Sequence, residues 1–251
     1  QLKKLKKNIH LIIATPGRLT DHLTRNTLSL QKIKWFVIDE VDQMLLKGFQ
    51  NSINEILEFT PKRRQSLFFS ATINSAVKKL AYAITTNPVN IDVNQENIVL
   101  KNITQYLIET TDRNKFDDLS RILKSDNPFM AIIFCRTKIR VDQLEEKMSL
   151  AGFDCYKIHS DVKQRDRERI MKRFRKGEFQ YLIATEVASR GLDITHVSHI
   201  YNYDIPQQAE DYIHRIGRTG RMNKEGLSYL FVDPKDQPML KTIENAIGFK
   251  L

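Results

Sequence analysis

The 251-residue chain has little cysteine and no long apolar run. Its two cysteines, Cys135 and Cys155, lie within apolar segments and lack the spacing of metal ligands. We therefore expect neither a disulfide framework nor a zinc site, and reduced, cytoplasmic surroundings fit best. No apolar stretch approaches the roughly 20 residues that span a bilayer, and no signal-peptide pattern opens the chain. The sequence predicts a soluble protein with no membrane partner.

A phosphate-binding P-loop is also absent. The motif Gly-x-x-x-x-Gly-Lys-Ser/Thr needs a glycine directly before a lysine, and none of the 9 glycines here is followed by lysine. The chain opens at Gln1, not at methionine, and a lysine-rich stretch runs straight into a strand-like segment. These features predict an N-terminally truncated piece of a longer protein.

Composition otherwise indicates an ordinary globular protein, with 41% hydrophobic and 28% charged residues. The length favours two lobes over one, and a monomer is the default expectation. The formal net charge is +10, and residues 1–102 hold 15 Lys/Arg against 8 Asp/Glu. A polyanionic partner such as nucleic acid would explain this excess, although many soluble proteins are basic without one.

Short apolar runs alternate with amphipathic segments, which predicts an α/β fold of two lobes with parallel sheets flanked by helices. The strands predicted for the first lobe, residues 1–93, are 9–14, 35–38, 67–69 and 89–93, with helices at 17–23, 50–58 and 75–83. These strands are too few for a finished sheet, so the first lobe is expected to be incomplete. A polar linker is predicted at 94–102. The second lobe, 103–251, has predicted strands at 103–109, 131–135, 155–159, 181–184, 199–203 and 227–232, with helices at 112–123, 139–151, 165–175 and 209–217.

An acidic pair follows the apolar run at 35–38. Asp39 and Glu40 would lie at the carboxyl end of a buried parallel strand, where open α/β sheets bind ligands. In this Walker B arrangement the first acid can hold Mg²⁺, usually through water, and the second can orient or deprotonate a water that attacks a phosphoryl group. Taken alone, such a pair is more often a helix N-cap.

Two further features make the pattern specific. Asp39-Glu40-Val41-Asp42 resembles motif II of the DEAD-box helicases, with Val41 in place of alanine, and Ser70-Ala71-Thr72 resembles their motif III. Taken alone, Ser70 and Thr72 could equally cap the helix predicted after them.

The strongest motif is His214-Arg215-Ile216-Gly217-Arg218-Thr219-Gly220-Arg221. Burying so many cations without an anion would be unfavourable, whereas arginines at a cleft can neutralise charge on a transferring γ-phosphoryl group. The string is similar to DEAD-box motif VI at every position. A solvated basic turn is the alternative.

Weaker motifs complete the resemblance in the family's order. Residues 15–18 (Thr-Pro-Gly-Arg) resemble motif Ib, residues 133–137 resemble motif IV, and the Gln164 to Arg167 spacing resembles its companion on a basic helix whose other cations could simply be solvated. Residues 184–193 resemble motif V, with Glu186 where the family more often has aspartate. The chain thus resembles a superfamily-two, bacterial-like DEAD-box RNA helicase with RecA-like lobes.

The resemblance implies ATP and Mg²⁺ as cofactors and RNA as a partner bound largely through its backbone. The implied catalytic residues are Asp39, Glu40, Arg218 and Arg221, and Asp39 would hold Mg²⁺ through water. Asp193 would approach the nucleotide ribose. The residues implied in coupling the lobes are Asp42, Ser70, Thr72 and His214. The implied RNA contacts are Thr15, Gly17, Arg18, Gln164, Arg167, Thr185, Arg190 and Gly191.

The intact parent is therefore expected to hydrolyse ATP when RNA stimulates it, and to unwind RNA duplexes locally or remodel ribonucleoproteins. Without a P-loop, this piece is expected to be inactive alone. Two alternatives stay open at this point: a non-catalytic RNA-binding or scaffolding module, and a helicase directed at DNA.

Overall fold

The computed structural model describes residues 9–92, 102–189, 197–220 and 225–251. They belong to two compact units, Gln1–Asp92 and Val93–Leu251, and each is described by itself. All but one residue of the linker predicted at 94–102 lies outside the described residues, so its bounds stay a prediction. None of the helices described has both the length and the apolar character that crossing a membrane requires.

Unit 1 contains a short parallel sheet with helices against it. The two strands pair from Trp35 opposite Gln65 to Ile38 opposite Phe68. Its elements in chain order are α1 (Pro16–Thr24), β1 (Trp35–Ile38), α2 (Val41–Leu46), α3 (Gln50–Glu58), β2 (Gln65–Phe68) and α4 (Ser75–Ile84). The sequence predicted all of these except α2, because that short helix directly follows the acidic pair and is too brief for a periodic signal.

Two predicted strands of unit 1 are wrong. Residues 9–14 and 89–92 have no strand structure. Most of their apolar side chains are exposed, with Ile13 88% and Val89 86% exposed, although Ile12 packs partly against the core beside α1 and α3. A strand needs hydrogen-bonded neighbours as well as β-branched residues, and the described residues offer these segments none. Residue 93, the end of the second of these predicted strands, lies outside the described residues.

The prediction that β1 is a buried strand is wrong for one of its two faces. Phe36 and Ile38 pack into a core with α2, α3 and α4, whereas Trp35 is 64% exposed on the opposite face. In the part of unit 1 that the structure describes, helices cover one face of this sheet only.

Unit 2 is a parallel sheet of six strands in the order β3-β8-β7-β4-β6-β5. Its strands are β3 (Ile103–Glu109), β4 (Ala131–Cys135), β5 (Cys155–Ile158), β6 (Tyr181–Thr185), β7 (His199–Asn202) and β8 (Gly226–Val232). Its helices are α5 (Lys115–Asp126), α6 (Lys138–Leu150), α7 (Gln164–Arg175), α8 (Glu186–Ser189), α9 (Ala209–Ile216) and α10 (Gln237–Ile247), with a 3₁₀ turn at Pro234–Asp236 before α10.

Helices cover both faces of this sheet. Because successive side chains of a strand point to opposite sides, each strand contributes residues to the cores on both faces. On β4, Ile133 packs into the core beneath α5 and α6, whereas Ile132 and Phe134 pack into the core beneath α7. A third core joins β3 and β8 to α9 and α10. The predicted α/β class with parallel sheets flanked by helices is confirmed.

Strand order places the carboxyl ends of three strands side by side. From β4 the chain runs to β5 and β6 on one side, then crosses to β7 and β8 on the other. Such a switch point is where open α/β sheets bind ligands. The ends of β4 and β6 lie in the segments that resemble motifs IV and V, and the chain continues from β7 to α9, where the segment that resembles motif VI begins.

Candidate functional site

The acidic pair of unit 1 lies at the carboxyl end of β1, as predicted. Asp39 and Glu40 are both exposed, and one Asp39 carboxylate oxygen accepts the Glu40 backbone N–H at 2.9 Å. Glu40 has φ 51° and ψ 49°, a left-handed conformation that is unfavourable for a residue with a Cβ. Strain of this kind clusters at functional sites, where the surrounding fold must maintain it. Here it turns the chain sharply from β1 into α2.

Asp42 has a different environment from its two acidic neighbours. It is buried, and its Oδ2 accepts hydrogen bonds from the Thr72 backbone N–H at 3.1 Å and the Thr72 hydroxyl at 3.0 Å. The Asp42 backbone N–H donates to Ser70 Oγ at 3.3 Å, and the Ser70 hydroxyl donates to the Thr72 carbonyl at 2.8 Å. The structure therefore brings Asp42, Ser70 and Thr72 together, and the cap of α4 is Asn74, which accepts from Val77.

Asp39 fits an ion held through water. No group of three or more His, Cys, Asp or Glu residues close enough to bind a metal occurs among the described residues. Mg²⁺ commonly uses only one or two protein carboxylates and keeps several waters. The exposed carboxylate of Asp39 suits that mode, and a fully protein-bound cation would not fit here.

The first turn of helix α1 is exposed to solvent except at Pro16, which is buried. Thr15 precedes it in an extended conformation and its side chain makes no capping hydrogen bond, while Pro16 occupies the first turn. The first amide groups of a helix lack partners within the helix and favour anions. Gly17 is exposed, and a Cβ there would meet nothing within 4 Å, so packing among the described residues does not require glycine. Arg18 donates to Asp21 at 2.8 Å.

In unit 2, Arg215 joins the ends of three strands. It is only 3% exposed, and its Nε donates to Glu186 Oε2 at 2.7 Å. Its Nη1 donates to Asn202 Oδ1 at 3.3 Å and to the Asp204 carbonyl at 2.9 Å, and its guanidinium lies over the Phe134 ring at 5.0 Å. This arginine thereby ties β4, the start of α8 and the end of β7 to α9.

Asp204 extends the same network towards α6 and α5. Its carboxylate accepts the Arg136 backbone N–H at 3.0 Å and Arg140 Nη2 at 3.0 Å, and Lys115 Nζ lies 3.7 Å away. Lys115 is itself buried and has a second ion pair with Asp112. The free-energy penalty of burying Lys115 and Asp204 is reduced because each has partners of opposite charge. The segment resembling motif IV is thus fixed to β7.

The turn after α9 is tightly packed. The Thr219 hydroxyl is buried between the carbonyls of Val197, at 2.6 Å, and Ser198, at 3.0 Å. Gly220 has φ +65°, and a Cβ there would lie 2.7 Å from Ile103. Arg218 is partly exposed on this turn.

The remaining predicted residues of unit 2 occupy α7, β6 and α9. Arg167 donates to the Ala188 carbonyl at 3.0 Å, which links α7 to α8, and Gln164 donates to Glu168 at 3.0 Å. Thr185 ends β6 and is partly exposed, and His214 is partly exposed on α9. Glu186, where the family more often has aspartate, begins α8 and pairs with Arg215.

Comparison with known proteins agrees with these motifs. The family model "DEAD/DEAH box helicase" matches residues 1–80, and "Helicase conserved C-terminal domain" matches residues 114–223. A DEAD box protein from the hyperthermophile Methanococcus jannaschii has a solved structure that is 35% identical, with a TM-score of 0.58 over 99% of this chain and 68% of that one.

The chain belongs to the DEAD-box helicase family.

Other relatives of this DEAD-box chain are closer in sequence or in structure. DEAD-box ATP-dependent RNA helicase CshA is 44% identical in Bacillus licheniformis and 43% in Bacillus subtilis, over the whole chain and 52% or 51% of the relative. Saccharomyces cerevisiae Dbp5 bound to RNA and ADP BeF3 is 33% identical, with a TM-score of 0.86 over 98% of this chain and 67% of that one. The chain spans about half the length of the curated relatives it matches.

Four predicted site residues lie outside the described residues of the DEAD-box chain. They are Arg190, Gly191, Asp193 and Arg221. Their roles stay predictions.

The sequence reasoning missed the buried parts of the site. It assigned no role to Arg215 or Asp204, because one sequence does not reveal which cation of a basic motif is buried. It also missed α10, although signals were present: Asp233 and Asp236 form a capping box before it, and Leu240, Ile243 and Ile247 share one helical face.

Proposed function

We propose that the whole protein to which this chain corresponds is an ATP-dependent RNA helicase. RNA stimulates it to hydrolyse ATP, and hydrolysis is coupled to local duplex unwinding or to remodelling of ribonucleoproteins. The observation that carries the proposal is the division of the acidic motif: Asp39 and Glu40 are exposed at a strand end, whereas Asp42 is bonded to Thr72. CshA and the RNA-bound Dbp5 support the same activity by similarity.

In this function Asp39 holds Mg²⁺ through water and Glu40 orients or deprotonates the attacking water. The ion, when bound, neutralises charge on the phosphates of ATP. Arg218 and Arg221 neutralise charge on the γ-phosphoryl group, and Asp193 contacts the ribose. His214, Asp42, Ser70 and Thr72 couple hydrolysis to RNA affinity.

RNA is held mainly by its backbone, so recognition depends little on base sequence. Its contacts are the first turn of α1, at Thr15, Gly17 and Arg18, and in unit 2 the residues Gln164, Arg167, Thr185, Arg190 and Gly191. The open first turn of α1 supports the first group, because uncapped amides can meet a phosphate.

ATP hydrolysis by this chain, compared with a longer protein that also has a P-loop, tests the proposal. We expect RNA-stimulated turnover in the longer protein only, since no glycine–lysine pair in the chain can cradle phosphates. RNA but not DNA should stimulate ATP hydrolysis by the longer protein. If the longer protein hydrolysed no ATP with any of several RNAs, a non-catalytic RNA-binding or scaffolding module would be favoured. ATP hydrolysis by the chain itself would refute this account of phosphate binding.

Coupling through Thr72 is tested in the longer protein with two substitutions. Thr72→Val removes the hydroxyl that donates to Asp42 at 3.0 Å and keeps the shape of the side chain, whereas Thr72→Ser keeps the hydroxyl. We expect the valine variant to unwind fewer duplexes per ATP hydrolysed and the serine variant to stay close to wild type. Equal unwinding per ATP in all three proteins would exclude this hydrogen bond from coupling.

A further inference from the structure

The positive charge of the chain is concentrated at one helix. Residues 163–176, which are α7 and its two flanking residues, include eight Lys/Arg and two Asp/Glu. Their formal charge of +6 compares with +10 for all 251 residues. The proposed function uses only Gln164 and Arg167 of this segment, so most of its charge has no assigned role.

The inner side of α7 is explained by packing. Met171 and Phe174 are buried in the core beneath the helix. Arg173 lies over the Tyr156 ring at 4.5 Å and pairs with Glu178 at 3.1 Å. These residues hold the helix on the sheet and need no ligand.

The outer side has a row of cations that packing does not explain. We call this row the α7 stripe; it consists of Arg165, Arg169, Lys172 and Lys176, and all four are exposed. Their spacing of i, i+4, i+7 and i+11 places them on one line along the helix, about 16 Å long. Asp166 lies 3.6 Å from Arg169 and Glu178 lies 3.6 Å from Lys176. Arg165 and Lys172 have no acidic partner in the described part of the chain.

Helix stability does not account for the α7 stripe. The helix dipole favours cations in the last turn, which suits Lys172, but it disfavours Arg165 in the first turn. Like charges at i, i+4, as at Arg165 and Arg169, also destabilise a helix. A bound polyanion would offset both effects.

We propose that the α7 stripe binds the phosphate backbone of an RNA strand, extending the contact at the exposed Gln164. This inference rests on the proposed function, because that function places RNA at the first turn of the same helix. The four cations follow one another at intervals of about 4.5 to 6 Å, which suits a chain of regularly repeated charges. The stripe contains no apolar side chain that could anchor a peptide. Binding is therefore electrostatic and independent of sequence.

The test uses the whole chain and two triple variants of equal charge. One is Arg165→Gln/Arg169→Gln/Lys172→Gln in the α7 stripe. The control is Lys124→Gln/Lys241→Gln/Lys250→Gln, at exposed lysines of α5, α10 and the C-terminal end. Fluorescence anisotropy measures the Kd for single-stranded RNAs of about 20 and about 6 nucleotides over a range of salt concentrations.

The stripe variant should bind the longer RNA about tenfold more weakly at low salt, and the slope of log Kd against log salt should fall by about 2, since each single-strand phosphate contact contributes about 0.7. The shorter RNA, which the first turn holds, should be less affected. The control variant should resemble wild type with both RNAs. Wild-type affinity and slope in the stripe variant, or an equal loss in the control, would overturn the inference.

Failure of this inference is distinguishable from failure of the proposed function. RNA-stimulated ATPase activity in the longer protein, with RNA binding that does not depend on the stripe, would overturn only the inference. Binding that depends on the stripe, without ATPase activity in the longer protein, would overturn only the proposed function.

Discussion

Replacing Arg215 with methionine should destabilise unit 2 more than any change at an exposed ion pair. The substitution keeps apolar volume but removes the cation that pairs with Glu186 at 2.7 Å and donates to the Asp204 carbonyl at 2.9 Å. It removes the Arg215 cation from beside the Glu186 carboxylate, whose side chain is only 14% exposed. Removing one partner of a buried ion pair destabilises a protein by about 3–5 kcal/mol. For a unit of this length that corresponds to a melting temperature lower by roughly 6–20 °C.

Thermal unfolding followed by far-UV circular dichroism measures this effect. The chain has a single tryptophan, Trp35, in unit 1, so its fluorescence reports that unit separately and should change little. A suitable control is Lys138→Met, because Lys138 and Asp161 form an exposed pair at 2.7 Å. Its melting temperature should stay near that of wild type.

A double substitution separates the ion pair from simple loss of packing. Apolar residues in place of both partners of a buried pair are often neutral or stabilising. Arg215→Met/Glu186→Met should therefore recover much of the stability lost by Arg215→Met alone. A single variant that melts within about 2 °C of wild type, or a double variant that is less stable still, would refute the reasoning.

Two other predictions concern unit 2. Gly226→Ala should lower the free energy of unfolding by about 1–3 kcal/mol, since its Cβ would lie 2.5 Å from Thr219 Oγ1, and an unchanged urea midpoint would contradict this. Burial lowers the pKa of His199, with Asp126 partly opposing the shift. The unfolded chain then binds more protons than the folded one just below the ordinary histidine pKa, so stability falls as the pH is lowered through that range. His199→Gln should reduce the loss of melting temperature between neutral and mildly acidic pH, and an equal loss in both proteins would exclude His199 as a cause.

Unit 2 was largely predictable because its central strands are buried on both faces and its helices are amphipathic. The predicted strands at 103–109 and 131–135 agree with the structure residue for residue, and helix ends differ by a few residues. The local sequence pattern is sufficient to predict the elements of unit 2 because tertiary packing favours the same structure there as intrinsic propensity does. Unit 1 was less predictable for the converse reason. Residues 9–14 and 89–92 have strand-like side chains, but pairing depends on neighbours that a local pattern cannot supply.

The motifs of the candidate site were predictable from the sequence. Which of their residues are buried and which are exposed was not. Motif resemblance located Asp39, Asp42 and Thr72, yet only burial separates the exposed Asp39 from the hydrogen-bonded Asp42. Hydrophobicity patterns treat all charged residues alike, whereas the fold distinguishes those that have partners from those that face solvent.

Motif VI makes this division clearest, because neighbouring residues of one string have opposite environments. Arg215 and Thr219 are buried. Arg215 joins α9 to the start of α8, and Thr219 joins the turn after α9 to Val197, so their substitution should act on the stability of unit 2. Arg218 is partly exposed, so its substitution should act on ATP turnover with a smaller effect on folding. If Arg218→Lys in the longer protein unfolded unit 2 as readily as Arg215→Met does, this separation of fold from chemistry within the motif would be wrong.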